Sequence, residues 1–432
     1  MSKENIHTCT CSDELIPDLE LGWKEFSKNG KNRESCPHKI GEFSGQALND
    51  DVRCKISNLE EFTVLAIKPS LAAQVSGEAV NTFRRILESE ASKHAWIISE
   101  GGHSMFFCVV PGKDSAVAAE HSQRLRSMLF DATGRYSTVG IAMFPFTDYS
   151  REDVFENAVK AYYHALFYGE DSHAEFDSTS LNISGDLFYQ AGEIKNAIFE
   201  YKKGLEINPD NTNIMNSLGV CLAHEKNYAA ALMEFEKASN MNPSEYLAIY
   251  NSGVACVFTG DIEKARNLFI KAAETDDTDI KIVFQAGKAA LEKGATETAE
   301  KLLEKAICLN NEKSEPYRYL GETYFKNGKA EKAIEAFKKA VKLNPCDAQS
   351  FSALGELFAE TGENLEIALV FCNQSIALSP NNGLMHYRTG KTLLKKNEPD
   401  LALESFKKAH ELGYDSSGEI EVLEKEPMGK AS

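Results

Sequence analysis

The sequence predicts two unlike parts: an α/β or α+β sandwich over residues 56–177, then an all-α superhelical solenoid over 178–416. Three observations predict it. Gly185, Gly219, Gly253, Gly287, Gly321, Gly355 and Gly390 recur at spacings of 34 or 35, and an alanine follows each by 12 or 13 residues. Upstream, short runs of β-forming residues alternate with segments of helical periodicity.

In chain order, residues 1–55 read as a poorly ordered lead. They are polar, with turn formers in SKNGKNRES, and Trp23 and Phe26 are placed to pack on the next domain. His7, Cys9, Cys11, Cys36 and His38 cluster here. Zinc takes four Cys/His ligands, commonly with two to four residues between cysteines, and Cys9-x-Cys11 is tight for a tetrahedron. The expectation is incidental thiols and no metal or cofactor; Cys9, Cys11, Cys36 and His38 are the alternative metal set.

FTVLAIKPS, residues 62–70, is apolar, rich in β-formers and stopped by a proline, as a buried strand is. Residues 77–95 carry Val80, Phe83, Ile86 and Leu87 at helical spacing. HAWIIS, EGGH and SMFFCVVPG read as a β-hairpin in which Gly101 and Gly102 supply left-handed turn angles. A helix (AVAAEHSQRLRSMLF), a strand (TVGIAMFPF) and a second helix (REDVFENAVKAYYHALFYG) follow, giving the order βαββαβα with helices over a mostly antiparallel sheet.

From 178 the period divides the chain into seven units: 178–211, 212–245, 246–279, 280–313, 314–347, 348–382 and 383–416. Each reads as two antiparallel helices. The Gly and Ala are small because the helices cross there, and Tyr201, Phe235, Phe269, Leu303, Phe337, Cys372 and Phe406, four residues beyond each Ala, fill the space beside them. Asn208-Pro209, Asn242-Pro243, Asn344-Pro345 and Ser379-Pro380 end second helices, because a residue before proline leaves the helical region. Residues 417–432 form a tail whose short apolar run suits a cap on the last pair, with a frayed end.

The 432 residues are 43% apolar and 26% charged, which suits a globular chain of two or three domains. A formal charge of −18 argues against a nucleic-acid partner, since phosphate recognition needs a basic face. No run of about 18 apolar residues and no secretory leader is present, so the expectation is a cytoplasmic protein without membrane insertion. Ten cysteines spread from Cys9 to Cys372, several on apolar stripes, fit a reducing compartment.

The repeat pattern resembles the tetratricopeptide repeat (TPR), with its small residues at the eighth, twentieth and twenty-seventh positions and a proline near the thirty-second. Asp277, Asn311 and Tyr414 replace that proline, and Gly204 and Ser375 replace the third alanine. The resemblance implies stacked helix pairs with a groove lined by first helices that binds a protein or peptide partner. Its groove-facing positions fall on Asn216, Tyr250, Val254, Phe284, Lys288, Arg318 and Glu322; for Tyr250 and Phe284, packing between neighbouring helices is an equal alternative. Asn182 and Asp186 stand where some members carry a Lys/Asn clamp for a terminal carboxylate, so that mode is not expected.

Residues 60–178 resemble the GGDEF family of diguanylate cyclases. TVGIAMFPFTD and the helix carrying Ala158, Ala161, Tyr162, Ala165 and Gly169 are similar to that family's late strand and last helix, and SEGGHSMFFCVV falls at its signature turn. The resemblance implies a nucleotide-cyclase-like sandwich. In that family carboxylates at the strand end and in the turn hold metal ions on the triphosphates. Here Lys68 occupies the strand end and His103 and Ser104 the turn; a lysine repels a metal, and a serine and an imidazole are poor magnesium ligands. The class III nucleotide cyclases, which share a similar hairpin, lead to the same expectation of inactivity. Lys68, Gly101, Gly102, His103 and Ser104 are thus a degenerate nucleotide site. The implied protein is no enzyme but a signalling or assembly scaffold of bacterial style, its first domain dimerising or docking. The alternative is a nucleotide-sensing protein, or a weakly active one, regulated by its repeats.

Overall fold

The computed structural model describes residues 50–70, 77–362 and 364–425. They divide into two compact units, one ending at Thr259 and the other beginning at Gly260, inside the third sequence repeat.

Among the described residues the first unit opens with α1 (Asp50–Ser57), which overlaps the end of the segment 1–55 expected to be a loose lead. Val52 and Ile56, one turn apart, are buried in the core, so the domain starts earlier than the polar composition suggested. The elements that follow are β1 (Phe62–Pro69), α2 (Gly77–His94), β2 (Ile97–Glu100), β3 (Phe106–Pro111), α3 (Ser115–Thr133), β4 (Ser137–Phe144), α4 (Asp153–Ala165) and β5 (His173–Glu175). The sheet order is β2-β3-β1-β4-β5. β1 is central and antiparallel to both β3 and β4, and the short β5, which the sequence pattern did not reveal, is parallel to β4. This is a split β-α-β arrangement with one added strand.

Alternation along β1 serves two cores. Phe62, Val64 and Ala66 point into one, shared with α1 and α4, while Leu65 and Ile67 join α2 and α3 in the other. Between α2 and α3, Glu90 is buried and ion-paired with Lys93 at 2.7 Å and Arg124 at 2.6 Å. α4 lies close on the sheet because Gly140 has no side chain: a Cβ there would stand 2.0 Å from the Ala158 carbonyl oxygen.

The outer side of α4 is covered as well, by the first helix pair, α5 (Ser178–Gln190) and α6 (Ile194–Ile207). Leu181 and Ile183 join the core of Val159 and Tyr163. Lys160 donates to Glu200 at 2.9 Å, with both side chains almost fully buried, and Glu156 adds a second carboxylate at 3.0 Å. Burial alone would lower the Lys160 pKa; Glu200 and Glu156 outweigh it and keep the ammonium charged. The unit continues through α7 (Thr212–His224), α8 (Tyr228–Met241) and α9 (Tyr246–Thr259).

The second unit contains α10 (Ile262–Thr275), α11 (Ile280–Glu292), α12 (Thr296–Leu309), α13 (Ser314–Lys326), α14 (Ala330–Leu343), α15 (Ala348–Thr361), α16 (Leu365–Leu378), α17 (Gly383–Lys395), α18 (Pro399–Glu411) and α19 (Ser417–Lys425). Ile420 and Leu423 of α19 pack on Leu393 and Phe406.

Within the helix pairs the small-to-large pattern has a direct cause. A Cβ on Gly185 would meet the Tyr201 ring at 2.5 Å, one on Gly219 the Phe235 ring at 2.5 Å, and one on Gly321 the Phe337 ring at 2.9 Å. The turn inside a pair needs a left-handed residue. Gly294 (φ 77°) supplies it in one unit, while Lys226 (φ 61°) and Asn397 (φ 64°) do so where glycine is absent.

Lys160→Met is expected to lower stability by about 3–5 kcal/mol, because it leaves Glu200 buried without its cation. Lys160→Met with Glu200→Leu is expected to recover most of that loss in denaturant unfolding of the whole chain. Equal losses in the single and double variants would show that the ion pair does not join α4 to α6.

Candidate functional site

Two places bring together the candidate residues: the turn end of the sheet and the faces formed by first helices of the repeats. At the sheet end, Lys68 lies one residue beyond the Ile67–Phe106 register pair, so β1 carries it toward the turn before β3. It is 7% exposed, and burial lowers its pKa.

The turn itself differs from the expected one. Gly101 is extended (φ −99°), Gly102, His103 and Ser104 form a single 3-10 turn, and the left-handed residue is Ser104 (φ 62°). Gly101 donates from its N–H to the Met105 carbonyl at 2.8 Å, which closes the hairpin. The lack of a side chain at Gly101 serves packing, since a Cβ would sit 2.8 Å from the Phe107 ring. Glu100, the nearby carboxylate, is held by the Arg84 guanidinium at 2.6 and 3.0 Å. Among the described residues no group of three His, Cys, Asp or Glu is arranged to hold a metal. Cys9, Cys11, Cys36 and His38 lie outside the described residues.

A Ser/His/Asp trio also occurs. His164 Nδ1 is 3.1 Å from Ser180 Oγ and 3.5 Å from Asp177 Oδ1, so hydroxyl and carboxylate approach the same ring nitrogen; Nε2 meets the Tyr168 hydroxyl at 3.2 Å. A nucleophile triad uses opposite nitrogens of the ring. Ser180 is fully buried, and with Asp177 it forms the capping box of α5.

The first-helix positions behave differently in the two compact units. In the first, Asn216, Tyr250 and Val254 are 2%, 1% and 0% exposed. Asn251 donates from Nδ2 to Asn216 Oδ1 at 2.8 Å, so that amide joins α7 to α9. These three expected groove residues are corrected to interior ones, because side chains buried among helices offer no surface. Asp186, at the clamp position, is also interior and accepts from the Tyr201 hydroxyl at 2.6 Å. Burial pushes its carboxyl up to about 7 against the opposing effect of that hydrogen bond.

In the second unit the corresponding positions of α11 and α13 stay partly exposed, while Ser352 at the same register of α15 is buried. Phe284 of α11 meets the Tyr319 ring of α13 edge-on at 5.5 Å, so the packing role left open for Phe284 is present, and its side chain keeps part of its surface. Lys288 and Arg318 lie over the same tyrosine at 5.7 and 4.5 Å. Arg318 also bonds Gln349 of α15 and stands 3.7 Å from Glu322, whose pKa burial raises. Farther along, Arg388 of α17 donates to Ser352 at 3.1 Å and pairs with Glu356 at 2.7 Å. Tyr387 then donates to Glu419 of α19 at 2.7 Å.

Thus Phe284, Lys288, Arg318 and Glu322 fall together on one face. Tyr319, Gln349, Glu356 and Arg388 belong to it and escaped the sequence reading, which took one or two positions per middle unit. The signal present in the sequence was a cation and an acid four residues apart on one helix, as in Arg318 and Glu322.

The helix pairs, their 34-residue period and this face define a helical-repeat array. The TPR repeat profile matches residues 185–224 and 321–362, and the chain carries tetratricopeptide repeats. Among solved structures, YrrB, a TPR protein with an unusual peptide-binding site, is 24% identical, covering 44% of this chain and 97% of its own at a TM-score of 0.37. MamA is 26% identical over 37% of this chain and 93% of its own, with a TM-score of 0.33. PilF of Pseudomonas aeruginosa is 20% identical over 50% and 97%, with a TM-score of 0.41. Comparison with curated proteins gives no match. No described helix is long and apolar enough to cross a membrane.

Asp186 makes the first unit pH-sensitive. A carboxyl with a folded pKa near 7 and an unfolded value of about 3.9 stabilises fully below pH ~4, and that contribution fades as pH rises to 7. Asp186→Asn is therefore expected to be more stable than the parent at pH 8, by roughly 2–4 kcal/mol, with the difference vanishing toward pH 4. Denaturant titrations at both pH values measure it, and a pH-independent difference would contradict the assignment.

Proposed function

We propose that the protein is a non-catalytic scaffold in which one segment of a protein partner lies along the first helices from Ile280 to Lys395. TPR repeats bind protein and peptide partners, and the observation that carries the reading here is the change in exposure along the array. Asn216, Tyr250 and Val254 are closed off, whereas Lys288 (22% exposed) and Arg318 (14%) border an accessible mixed surface of aromatic, amide and charged groups. Such a surface suits an extended or helical peptide.

On the same proposal, the sheet domain is a degenerate GGDEF-like module that docks or dimerises in the cytoplasm. Lys68 at the strand end and the engagement of Glu100 by Arg84 both support a domain without two-metal chemistry. One further reading is a nucleotide sensor, in which the sheet end that carries Lys68 and the Gly101–Gly102 backbone meets phosphates. Binding of GTP, ATP and cyclic di-GMP to the whole chain with magnesium, followed by a turnover assay, separates the two: no binding supports the scaffold, binding without turnover the sensor, and turnover overturns both.

For a partner recovered with the chain, Arg318→Ala is expected to weaken binding about tenfold or more under conditions where the variant is folded, and to lower stability as well, because the guanidinium bridges α13 and α15. Asn216→Ala is expected to lower stability while leaving affinity intact. Isothermal titration and thermal melts distinguish these outcomes, and unchanged affinity in Arg318→Ala would remove this face from the account.

A further inference from the structure

α4 makes polar contact with the first repeat at two points one turn apart. Lys160 reaches Glu200 of α6, and His164 reaches Ser180 of α5 and Asp177, the α5 N-cap. The first contact holds the Lys160 ammonium charged against Glu200 and Glu156. The second involves an imidazole, which titrates in the physiological range.

His164 is 7% exposed. The groups around it are the Tyr168 hydroxyl on Nε2, Ser180 Oγ and the half-exposed Asp177 carboxylate on Nδ1, and Lys160 one turn back on its own helix, whose charge is taken up by Glu200 and Glu156. A neutral imidazole suits this set, with one nitrogen donating and the other accepting between two hydroxyls. An imidazolium would be a buried cation facing one carboxylate that is itself committed to the Ser180 N–H at 3.0 Å.

We propose that the joint between the sheet domain and the first repeat is a proton-sensitive latch, in which protonation of His164 loosens the seating of α5 on α4. Burial lowers the His164 pKa, and Asp177 opposes that shift without cancelling it. A histidine with a depressed folded pKa gives full stability above its unfolded value, near 6.5, and loses it as pH falls below that value. The latch is therefore closed at neutral pH and weakened by mild acid. Its consequence is a repeat array whose first pair is firmly anchored only when His164 is neutral.

Hydrogen exchange followed by mass spectrometry on the full chain tests this, reading peptides from 178–190 between pH 7.5 and 5.0 with correction for intrinsic rates. His121 and His173 are also lowered by burial, but they lie on α3 and β5, so the local readout and its dependence on His164 are what count. In the parent, exchange in α5 is expected to accelerate on the order of fivefold on acidification, while α11–α17 stay unchanged. His164→Gln keeps two hydrogen-bonding atoms and cannot titrate, so the acceleration should disappear. Asp177→Asn preserves an N-cap residue but removes the carboxylate that faces the ring among the described residues, so the midpoint should move to lower pH. Equal acceleration in the parent and His164→Gln would overturn the latch. Should His164→Gln fail to fold, an unshifted midpoint in Asp177→Asn would overturn it by itself.

Discussion

The repeat array depends on a contact made inside its helix pairs, where a glycine on the first helix receives a ring, a leucine or a thiol from the second. At Gly185, Gly219, Gly321 and Gly390 the receiving surface is backbone, and any Cβ would overlap an aromatic ring. Interiors are packed to crystal density, so this fit sets how closely the two helices approach and which faces remain for the next pair. The interior of one pair therefore dictates the stacking of its neighbours, and stacking in turn decides which side chains of the first helices are left at the surface.

The sheet domain obeys a related constraint through α4. This helix has no solvent face along most of its length: Gly140 allows one side to sit against the strands, and the other side meets α5 and α6. A helix buried on two sides must place its polar groups opposite partners, and Lys160 and His164 do so. The first repeats are thus built onto the sheet domain as one compact unit, and its surface cannot be treated as separate from theirs.

Much of the array was legible because its cause is periodic. The Gly, Ala and aromatic positions each have a backbone or packing reason that repeats, and the helix ends at Asn208, Asn242, Asn344 and Ser379 follow from the prolines after them. The βαββαβ order was legible for the same reason, since periods of 2 and 3.6 separate strands from helices. What failed depended on long-range contacts. Nothing local distinguishes Tyr250, which is interior, from Arg318, which is not, although both occupy first helices at the same register. The Gly101–Gly102 pair looked like a left-handed turn, yet the left-handed angle falls on Ser104, and the missing Cβ at Gly101 leaves room for the Phe107 ring. α1 was hidden by its length and its acidic start, and β5 by having three residues.

In the proposed scaffold, partner binding falls where the first helices keep part of their surface. From α11 to α17 the cations are held in place by neighbouring helices, with Tyr319 between Lys288 and Arg318 and Arg388 between Ser352 and Glu356, so the face is organised before a partner arrives. Cross-linking of the chain to its partner with a lysine-reactive reagent, mapped by mass spectrometry, tests this most directly. The account predicts cross-links at Lys288, Lys326, Lys391 and Lys395 on the first helices. Cross-links confined to Lys301 and Lys338 on second helices would contradict it.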